Sequence, residues 1–213
     1  MVINNVKRFV FNSFGVNTYV LCDVSGQCLI IDPACQSKRE ETQLLEFITN
    51  NHLTPIGMVN THFHIDHIVG NSFVCNTFNI RPICHKACKN FWETASAQGK
   101  MFGMDIENII VPVDFIEEGD TINFGKSSVN ILYTPGHADG SVCLVNQAEH
   151  YLISGDVLFR DSIGRTDLPS GDFYLLRDSI TQKLFTLPSD FIVFPGHGPE
   201  TSIGYEKVNN PFL

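Results

Sequence analysis

Histidine and aspartate residues able to bind metal ions are concentrated at four points of this chain. Neutral imidazoles and carboxylates suit zinc, iron or manganese better than ions that prefer thiolates. Such a set indicates a metal centre that activates water for hydrolysis. The segment THFHIDH contributes four of the seven candidate ligands and three apolar runs end in the others: His62, His64, Asp66, His67, His137, Asp156 and His197.

The spacing inside THFHIDH predicts the beginning of two adjacent metal sites. Side chains two residues apart in an extended segment point to the same side, so His62 and His64 can converge on one ion. Asp66 has the same parity. If the chain turns into a helix after Ile65, His67 is redirected and can join Asp66 on a second ion.

Ligands from distant parts of the chain must complete both sites. We expect His137 to complete the site of His62 and His64, and His197 to complete the second site. A carboxylate has two oxygen atoms, so Asp156 is the predicted bridge between ions that lie about 3.5 to 4 Å apart in two-metal sites.

The expected chemistry needs no serine or cysteine nucleophile. A water held between the ions is expected to lose a proton near neutral pH, and the resulting hydroxide attacks a carbonyl that the ions polarise. Asp66 and Asp156 are the predicted catalytic carboxylates, because they hold the ions that activate this hydroxide. The predicted cofactors are two divalent ions, zinc in the first place, with iron or manganese as alternatives.

The remaining candidates for polar chemistry have simpler interpretations. His52, His85 and His150 are expected to be structural, and His85, which begins HKAC, is expected to start a helix. Asp32 precedes Pro33, and we leave open whether it forms a turn or orients a metal ligand.

Apolar strands are expected to position the ligands. The four ligand loops follow the runs IGMVN, VNILYTP, YLIS and FIVF, at the carboxyl ends of predicted strands, where a rigid scaffold holds binding groups. Other strands are predicted at VKRFVF, NTYVLCDV, QCLIIDP, RPICH, TINFG and SVCLVN, and helices at 38–52, 68–78, 87–102 and 172–185. The pattern predicts one α/β domain over residues 1–213, with mixed sheets covered by helices.

Composition excludes several classes of function. With 213 residues, of which 43% are hydrophobic and 17% charged, the chain can bury a large core. The formal net charge of −9, without a run of Lys or Arg, argues against nucleic acid or an anionic membrane as partner. No apolar run reaches the roughly 18 residues of a spanning helix, and the start lacks signal-peptide features, so we expect a cytoplasmic protein.

The cysteine pattern predicts reduced thiols. The chain has seven cysteines, an odd number without CxxC pairs, and several lie in strand-like runs where Cys behaves as a small hydrophobe. Cys84 and Cys88 are an alternative metal-binding pair, although no second pair stands beside them at zinc-finger spacing.

These motifs together resemble the metallo-β-lactamase superfamily. Its pattern THxHxDHxxG matches residues 61–70 and is followed by PGH at 135–137, SGD at 154–156 and PGH at 195–197. The motifs occur in the same order over nearly the whole chain. The resemblance implies a four-layer αβ/βα sandwich of two mixed β-sheets flanked by helices, with the metal ions at one edge of the sheets.

Within that superfamily, the segment SIGRTDLPSG and the carboxyl-terminal segment are most similar to short glyoxalase II-type hydrolases. This resemblance implies cleavage of hydroxyacylglutathione thioesters, such as S-lactoylglutathione, to lactate and glutathione. It places Arg165 at a basic substrate contact, with Asp167 beside it, although the two can equally form a structural ion pair. Tyr133, Phe159 and Tyr205 are candidates for the pocket wall.

Other functions stay open at this point. A persulfide dioxygenase, a relative that also has a GRTD segment, uses a single iron held by a subset corresponding to His62, His137 and Asp156. A noncatalytic metal or redox-sensing module is a third interpretation. The expected partner is a small-molecule thioester, and the sequence does not decide between a monomer and a homodimer.

Overall fold

Two mixed β-sheets form the centre of the computed structural model, which describes residues 5–104, 106 and 109–213. The first sheet has its strands side by side in chain order. Its first three strands are antiparallel, and the later ones continue in parallel. The strands are β1 (Val6–Phe11), β2 (Val16–Cys22), β3 (Gln27–Ile31), β4 (Thr54–Val59), β5 (Pro82–His85) and β6 (Asp114–Ile116).

The second sheet comes from the carboxyl-terminal half. Its strands are β7 (Thr121–Phe124), β8 (Ser127–Tyr133), β9 (Val142–Asn146), β10 (Tyr151–Gly155), β13 (Ile192–Pro195) and β14 (Thr201–Ser202), in the order β14-β13-β10-β9-β8-β7. Strands β10 and β13 pair in parallel, and the other neighbours are antiparallel. A short hairpin, β11 (Leu158–Phe159) and β12 (Ser162–Ile163), lies between β10 and β13 in the chain.

Six α-helices accompany the sheets in the described ranges. They are α1 (Lys38–Asn50), α2 (Ile65–Ile68), α3 (Asn71–Phe78), α4 (Lys89–Met101), α5 (Phe173–Gln182) and α6 (Ile203–Asn209). Helix α1 begins with a capping box, in which the Ser37 hydroxyl accepts from the amide of Glu40 and the Glu40 carboxylate accepts from the amide of Ser37. Among the described residues, no helix has the length and apolarity needed to cross a membrane.

Successive side chains along a strand point to opposite faces of its sheet, and both faces are packed against other layers. In β2, Tyr19 and Leu21 pack between the sheets against residues such as Ile131 and Leu144, whereas Val20 packs on the opposite face against α1 and α3. A strand with apolar residues on both faces is buried on both sides. Helix α5 covers the outer face of the second sheet through Leu176 and other residues. The fold is therefore the α/β sandwich that the sequence predicts.

The predicted elements are confirmed, with local corrections at their ends. The helix predicted at 68–78 begins later, at Asn71, and α2 ends before it at Ile68. The break between the two helices includes Gly70, whose amide donates to the carbonyl of Pro33. A Cβ at Gly70 would lie 2.6 Å from that carbonyl oxygen, so the break allows a close approach of two chain segments. The strand predicted from Ile56 begins at Thr54, and the short β6, β11, β12, β14 and α6 were not predicted.

The core between the sheets gives a stability prediction. Ile131 is fully buried, so Ile131→Ala should lower the free energy of unfolding by about 2–5 kcal/mol, because a cavity replaces the lost side chain. Val208, which is 82% exposed, provides the control. Val208→Ala should change the free energy of unfolding by no more than about 0.5 kcal/mol. Urea titration followed by circular dichroism measures both. Similar values for the two variants would contradict this account of the core.

Candidate metal centre

The first predicted group of ligands comes together at the carboxyl end of β4. His62, His64 and His137 each offer a ring nitrogen, and these atoms lie within 4.8 Å of one another. His64 Nδ1 is 3.0 Å from His137 Nε2. The ring of Phe91 in α4 lies 5.2 Å from the His64 ring and closes one side of the group.

The second predicted group lies beside the first. Helix α2 begins at Ile65 with His64 as its N-cap residue, and this turn directs His67 toward Asp66 and His197, as the sequence predicts. His197 Nε2 is 3.3 Å from His67 Nε2 and 3.4 Å from Asp66 Oδ2.

Asp156 lies between the two groups. Its Oδ2 atom is 3.7 Å from His137 Nε2 and 3.5 Å from His197 Nε2, and its Oδ1 atom is 3.4 Å from His67 Nε2. His62 Nε2 is 4.0 Å from Oδ2. A single carboxylate therefore reaches both groups, which is the arrangement required of a bridging ligand.

The donor atoms fit metal ions better than they fit one another. Ligand nitrogens bound at about 2.0–2.1 Å to a tetrahedral zinc ion lie about 3.3 Å apart, close to the separations between ring nitrogens here. His62 Nε2 and Asp156 Oδ1 are buried and make no well-directed hydrogen bond. Buried polar atoms without partners are costly, and binding of cations would satisfy both.

Hydrogen bonds on the far side of the rings fix their orientation. His137 Nδ1 is 2.8 Å from the Arg165 carbonyl oxygen, and His197 Nδ1 is 3.1 Å from the Phe14 carbonyl oxygen. Each Nδ1–H donates to its carbonyl, so the Nε2 atom faces the centre.

Asp32 orients ligands in both groups. Its Oδ1 atom accepts from the Thr61 amide at 2.7 Å, and its Oδ2 atom accepts from the Thr61 hydroxyl at 2.6 Å. His67 Nδ1 also lies 3.1 Å from Oδ2, and Thr61 Oγ1 lies 3.1 Å from His62 Nδ1. Asp32 is close enough to His62 and His67 to be grouped with them as a metal site, but hydrogen bonds already occupy its oxygens. The orienting interpretation therefore holds.

The electrostatics of the centre place protons where ions would bind. Burial lowers the pKa of His67 and His197, but the carboxylates of Asp156 and Asp66 outweigh this effect, raising the pKa of His67 well above its usual range and that of His197 to about 9. Burial raises the pKa of Asp156, yet His67 and His197 hold it well below its usual range. Burial and neighbouring imidazoles lower the pKa of His62. Imidazolium protons thus compete with metal ions.

Comparison with known proteins decides the family. The family model of the metallo-beta-lactamase superfamily matches residues 12–197. The chain belongs to the metallo-β-lactamase superfamily. It is 38% identical to a probable metallo-hydrolase, YqgX, of Bacillus subtilis, covering 97% of this chain and 96% of that protein. It is 31% identical to the hydroxyacylglutathione hydrolase GloC of Haemophilus influenzae, covering 98% of both.

Solved structures of the superfamily agree with this assignment. The BLEG-1 B3 metallo-beta-lactamase has a TM-score of 0.87 at 34% identity and covers 98% of this chain and 99% of its own. TTHA1623 in a di-iron-bound form has a TM-score of 0.87 at 32% identity, with coverage of 98% and 100%. ETHE1 from Myxococcus xanthus has a TM-score of 0.78 at 26% identity, with coverage of 99% and 84%. Fold and ligand cluster together support a metal-binding hydrolase.

Of the predicted substrate residues of this superfamily member, Arg165 contacts a ligand through its backbone carbonyl, which accepts from His137 Nδ1. The Arg165 guanidinium donates two hydrogen bonds of 2.8 Å to the Asp167 carboxylate, and both side chains are exposed. The structure thus contains the ion pair that the sequence left as an alternative, and a substrate contact stays a prediction. Of the three aromatic candidates, Phe159 lies 6.3 Å from the His197 ring, Tyr133 stacks on His85, and the Tyr205 hydroxyl donates to Asp161.

Sequence reasoning missed the residues that act through their backbone. The carbonyls of Phe14 and Arg165 orient His197 and His137, and no side-chain pattern could have indicated a carbonyl contact. Asn60 precedes THFHIDH and exchanges amide hydrogen bonds with Asn71, an arrangement that a buried polar residue beside a ligand segment could have suggested. His85 starts a helical turn as predicted, since its Nδ1 accepts from the Ala87 amide.

Replacing Asp32 tests its orienting role. In Asp32→Asn an amide NH2 group replaces one of the two acceptor oxygens. Either the Thr61 amide loses its partner, or the Thr61 hydroxyl and His67 both lose theirs. We expect metal affinity to fall about 10–100-fold with the fold retained. Metal content after dialysis against graded chelator measures this effect. Asp190→Asn is the control, since Asp190 is exposed and its carboxylate contacts His150, away from the ligand groups. Equal metal retention in both variants would refute the role.

Metal loading should release protons. Without metal, the neighbouring carboxylates raise the pKa of His67 well above its usual range and that of His197 to about 9, so each imidazole must lose a proton to bind an ion at neutral pH. We expect release of about two protons per chain at pH 7–8, and metal affinity that rises with pH up to about 9. Calorimetric titration of zinc in buffers of different ionisation enthalpy counts the protons. The His197→Ala variant should release fewer, and pH-independent affinity would contradict the expectation.

Proposed function

We propose that this protein is a binuclear metal-dependent thioesterase that hydrolyses hydroxyacylglutathione-type thioesters, such as S-lactoylglutathione. The observation that carries the proposal is the pair of three-residue groups that share Asp156. His62, His64 and His137 would hold one ion, and Asp66, His67 and His197 the other. The predicted metal is zinc, and the di-iron form of the similar TTHA1623 keeps iron as an alternative.

When bound, the two ions would polarise the thioester carbonyl and lower the pKa of a water molecule. The protein's own part is to hold the ring nitrogens and carboxylates in place before substrate arrives, so that little reorganisation accompanies the reaction. Water adds to the carbonyl carbon, the C–S bond breaks, and a carboxylate and a free thiol leave. Asp66 and Asp156 are proposed as the catalytic carboxylates because they would hold the ions while water adds and while the C–S bond breaks.

Arg165 supports recognition of the thiol carrier. Its own backbone carbonyl accepts from His137 Nδ1, so the residue is attached to the first ligand group. Glutathione carries carboxylates, and a guanidinium binds a carboxylate in bidentate fashion, as Arg165 already binds Asp167. In this proposal the substrate carboxylate replaces Asp167, or Asp167 positions Arg165 for it. The similarity to GloC, over 98% of both chains, favours the same substrate class.

The proposed partner is therefore a small molecule rather than nucleic acid or membrane, in keeping with the net charge of −9. We also propose a cytoplasmic setting, because all seven cysteines are free, as expected of a reducing compartment.

A second candidate is a mononuclear-iron persulfide dioxygenase that would use His62, His137 and Asp156. The likeness to ETHE1, at 26% identity, gives it weak support. The group of Asp66, His67 and His197 argues for the hydrolase, because a single iron would leave these potential ligands without an ion. Oxygen consumption with glutathione persulfide and the iron-loaded protein distinguishes the two activities.

Release of free thiol from S-lactoylglutathione tests the proposal. Protein loaded separately with zinc, manganese and iron without oxygen should release glutathione with at least one metal. His62→Ala and Asp156→Ala should abolish turnover, since each removes a ligand, while circular dichroism stays unchanged because both residues lie in loops. The exposed variant Val208→Ala should keep full activity. Thiol release that persists in both ligand variants would exclude the mechanism.

A further inference from the structure

The metal centre opens on the side of His197. The His197 side chain is 28% exposed, whereas His67 is fully buried and His62 is 2% exposed. Asp66 is also partly exposed, so the second ligand group faces solvent more than the first. A substrate can therefore reach the second ligand group across His197 and Asp66.

A turn that carries an exposed phenylalanine is attached to both of these ligands. The Phe14 carbonyl accepts from His197 Nδ1 at 3.1 Å, and the Asn12 side-chain amide donates to the Asp66 carbonyl at 3.0 Å. Asn12 further donates to the carbonyl of Ala34, so the turn is held from two sides. The Phe14 ring itself is 44% exposed.

Two more phenylalanines stand at this opening. Phe102, directly after α4, is 54% exposed and meets the Phe14 ring edge to face, with ring centroids 5.9 Å apart. Phe159 on the β11–β12 hairpin lies 6.3 Å from the His197 ring and is half-buried. The three phenylalanines belong to different parts of the chain. His197 links them, because it contacts the Phe14 carbonyl and lies near the Phe159 ring, while Phe102 packs on the Phe14 ring.

The two ends of the centre differ in chemistry. Arg165 lies beside His137, at the first ligand group, and offers a cation for a carboxylate. The phenylalanines lie on the side of His197, at the second group: the Phe159 ring is near the His197 ring, and the Phe14 carbonyl contacts His197 Nδ1. Binding pockets are mostly apolar with a few placed polar groups, and exposed apolar patches mark binding sites more often than single exposed residues do.

We propose that Phe14, Phe102 and Phe159 form an apolar subsite for the acyl group of the substrate, so that the protein prefers thioesters with an aromatic acyl group over those with a small one. The inference rests on the proposed thioesterase function and adds the substrate class. The carboxylates of the thiol carrier extend toward Arg165, and the acyl group extends over His197. The three phenylalanines determine specificity and leave the ligand set unchanged.

A matched pair of substrates tests the subsite. S-mandeloylglutathione differs from S-lactoylglutathione only by a phenyl group in place of a methyl group. The metal-loaded protein should show a kcat/KM about tenfold higher for the mandeloyl thioester, because the ring is removed from water in the transition state. In Phe14→Ala and Phe102→Ala the ratio of the two kcat/KM values should fall toward one. Phe212→Ala, with similar exposure in the carboxyl-terminal segment, should keep the wild-type ratio.

Binding of the two product acids provides a readout independent of turnover. Calorimetry with the metal-loaded protein should give a mandelate affinity about tenfold higher than that of lactate, and the difference should shrink in Phe14→Ala. If neither thioester releases thiol, the proposed function fails. The relative affinities for mandelate and lactate then test the subsite by themselves. Thiol release from both thioesters at similar kcat/KM, or mandelate binding no tighter than lactate binding, overturns the subsite.

Discussion

The buried carboxylate of Asp32 is the constraint on which the metal centre depends. It accepts from the Thr61 amide and hydroxyl and faces His67, while the Thr61 hydroxyl also contacts His62. One residue at the end of β3 thus orients a ligand in each group and fixes the path of the chain between them. Asp32 itself adopts a left-handed backbone conformation, with φ of 47°, which the surrounding hydrogen bonds hold in place.

The packing of the two sheets brings the ligand loops together, which Asp32 alone cannot do. Packing of Tyr19 and Leu21 against Ile131 and Leu144 fixes the sheets relative to one another, so loops from both halves meet at one edge. At this edge the backbone of the last ligand loop passes close to the other ligands. A Cβ at Gly196 would lie 2.1 Å from Asp156 Oδ1 and 2.9 Å from His67 Cε1, so only glycine lets the last ligand loop pass.

Bringing so many ionisable groups together is unfavourable without ions. Imidazoles buried beside one another lower the pKa of His62, and the carboxylates compensate by holding protons on His67 and His197. Divalent ions would replace those protons and satisfy His62 Nε2 and Asp156 Oδ1 at once. Within the second ligand group, His67 is buried and His197 is exposed to solvent.

The sequence by itself determined the fold class and the candidate ligands, because period-two apolar runs predict strands, and His and Asp residues at their carboxyl ends predict a site. The parity of His62 and His64, together with the predicted helical turn after Ile65, assigned the ligands of THFHIDH to two groups, since both features are local. The orienting carbonyls of Phe14 and Arg165, the choice between turn and orienting roles for Asp32, and the aromatic opening were decided only by the tertiary structure. Those contacts join residues far apart in the chain, and some use backbone atoms that every residue shares, so residue type alone could not indicate them.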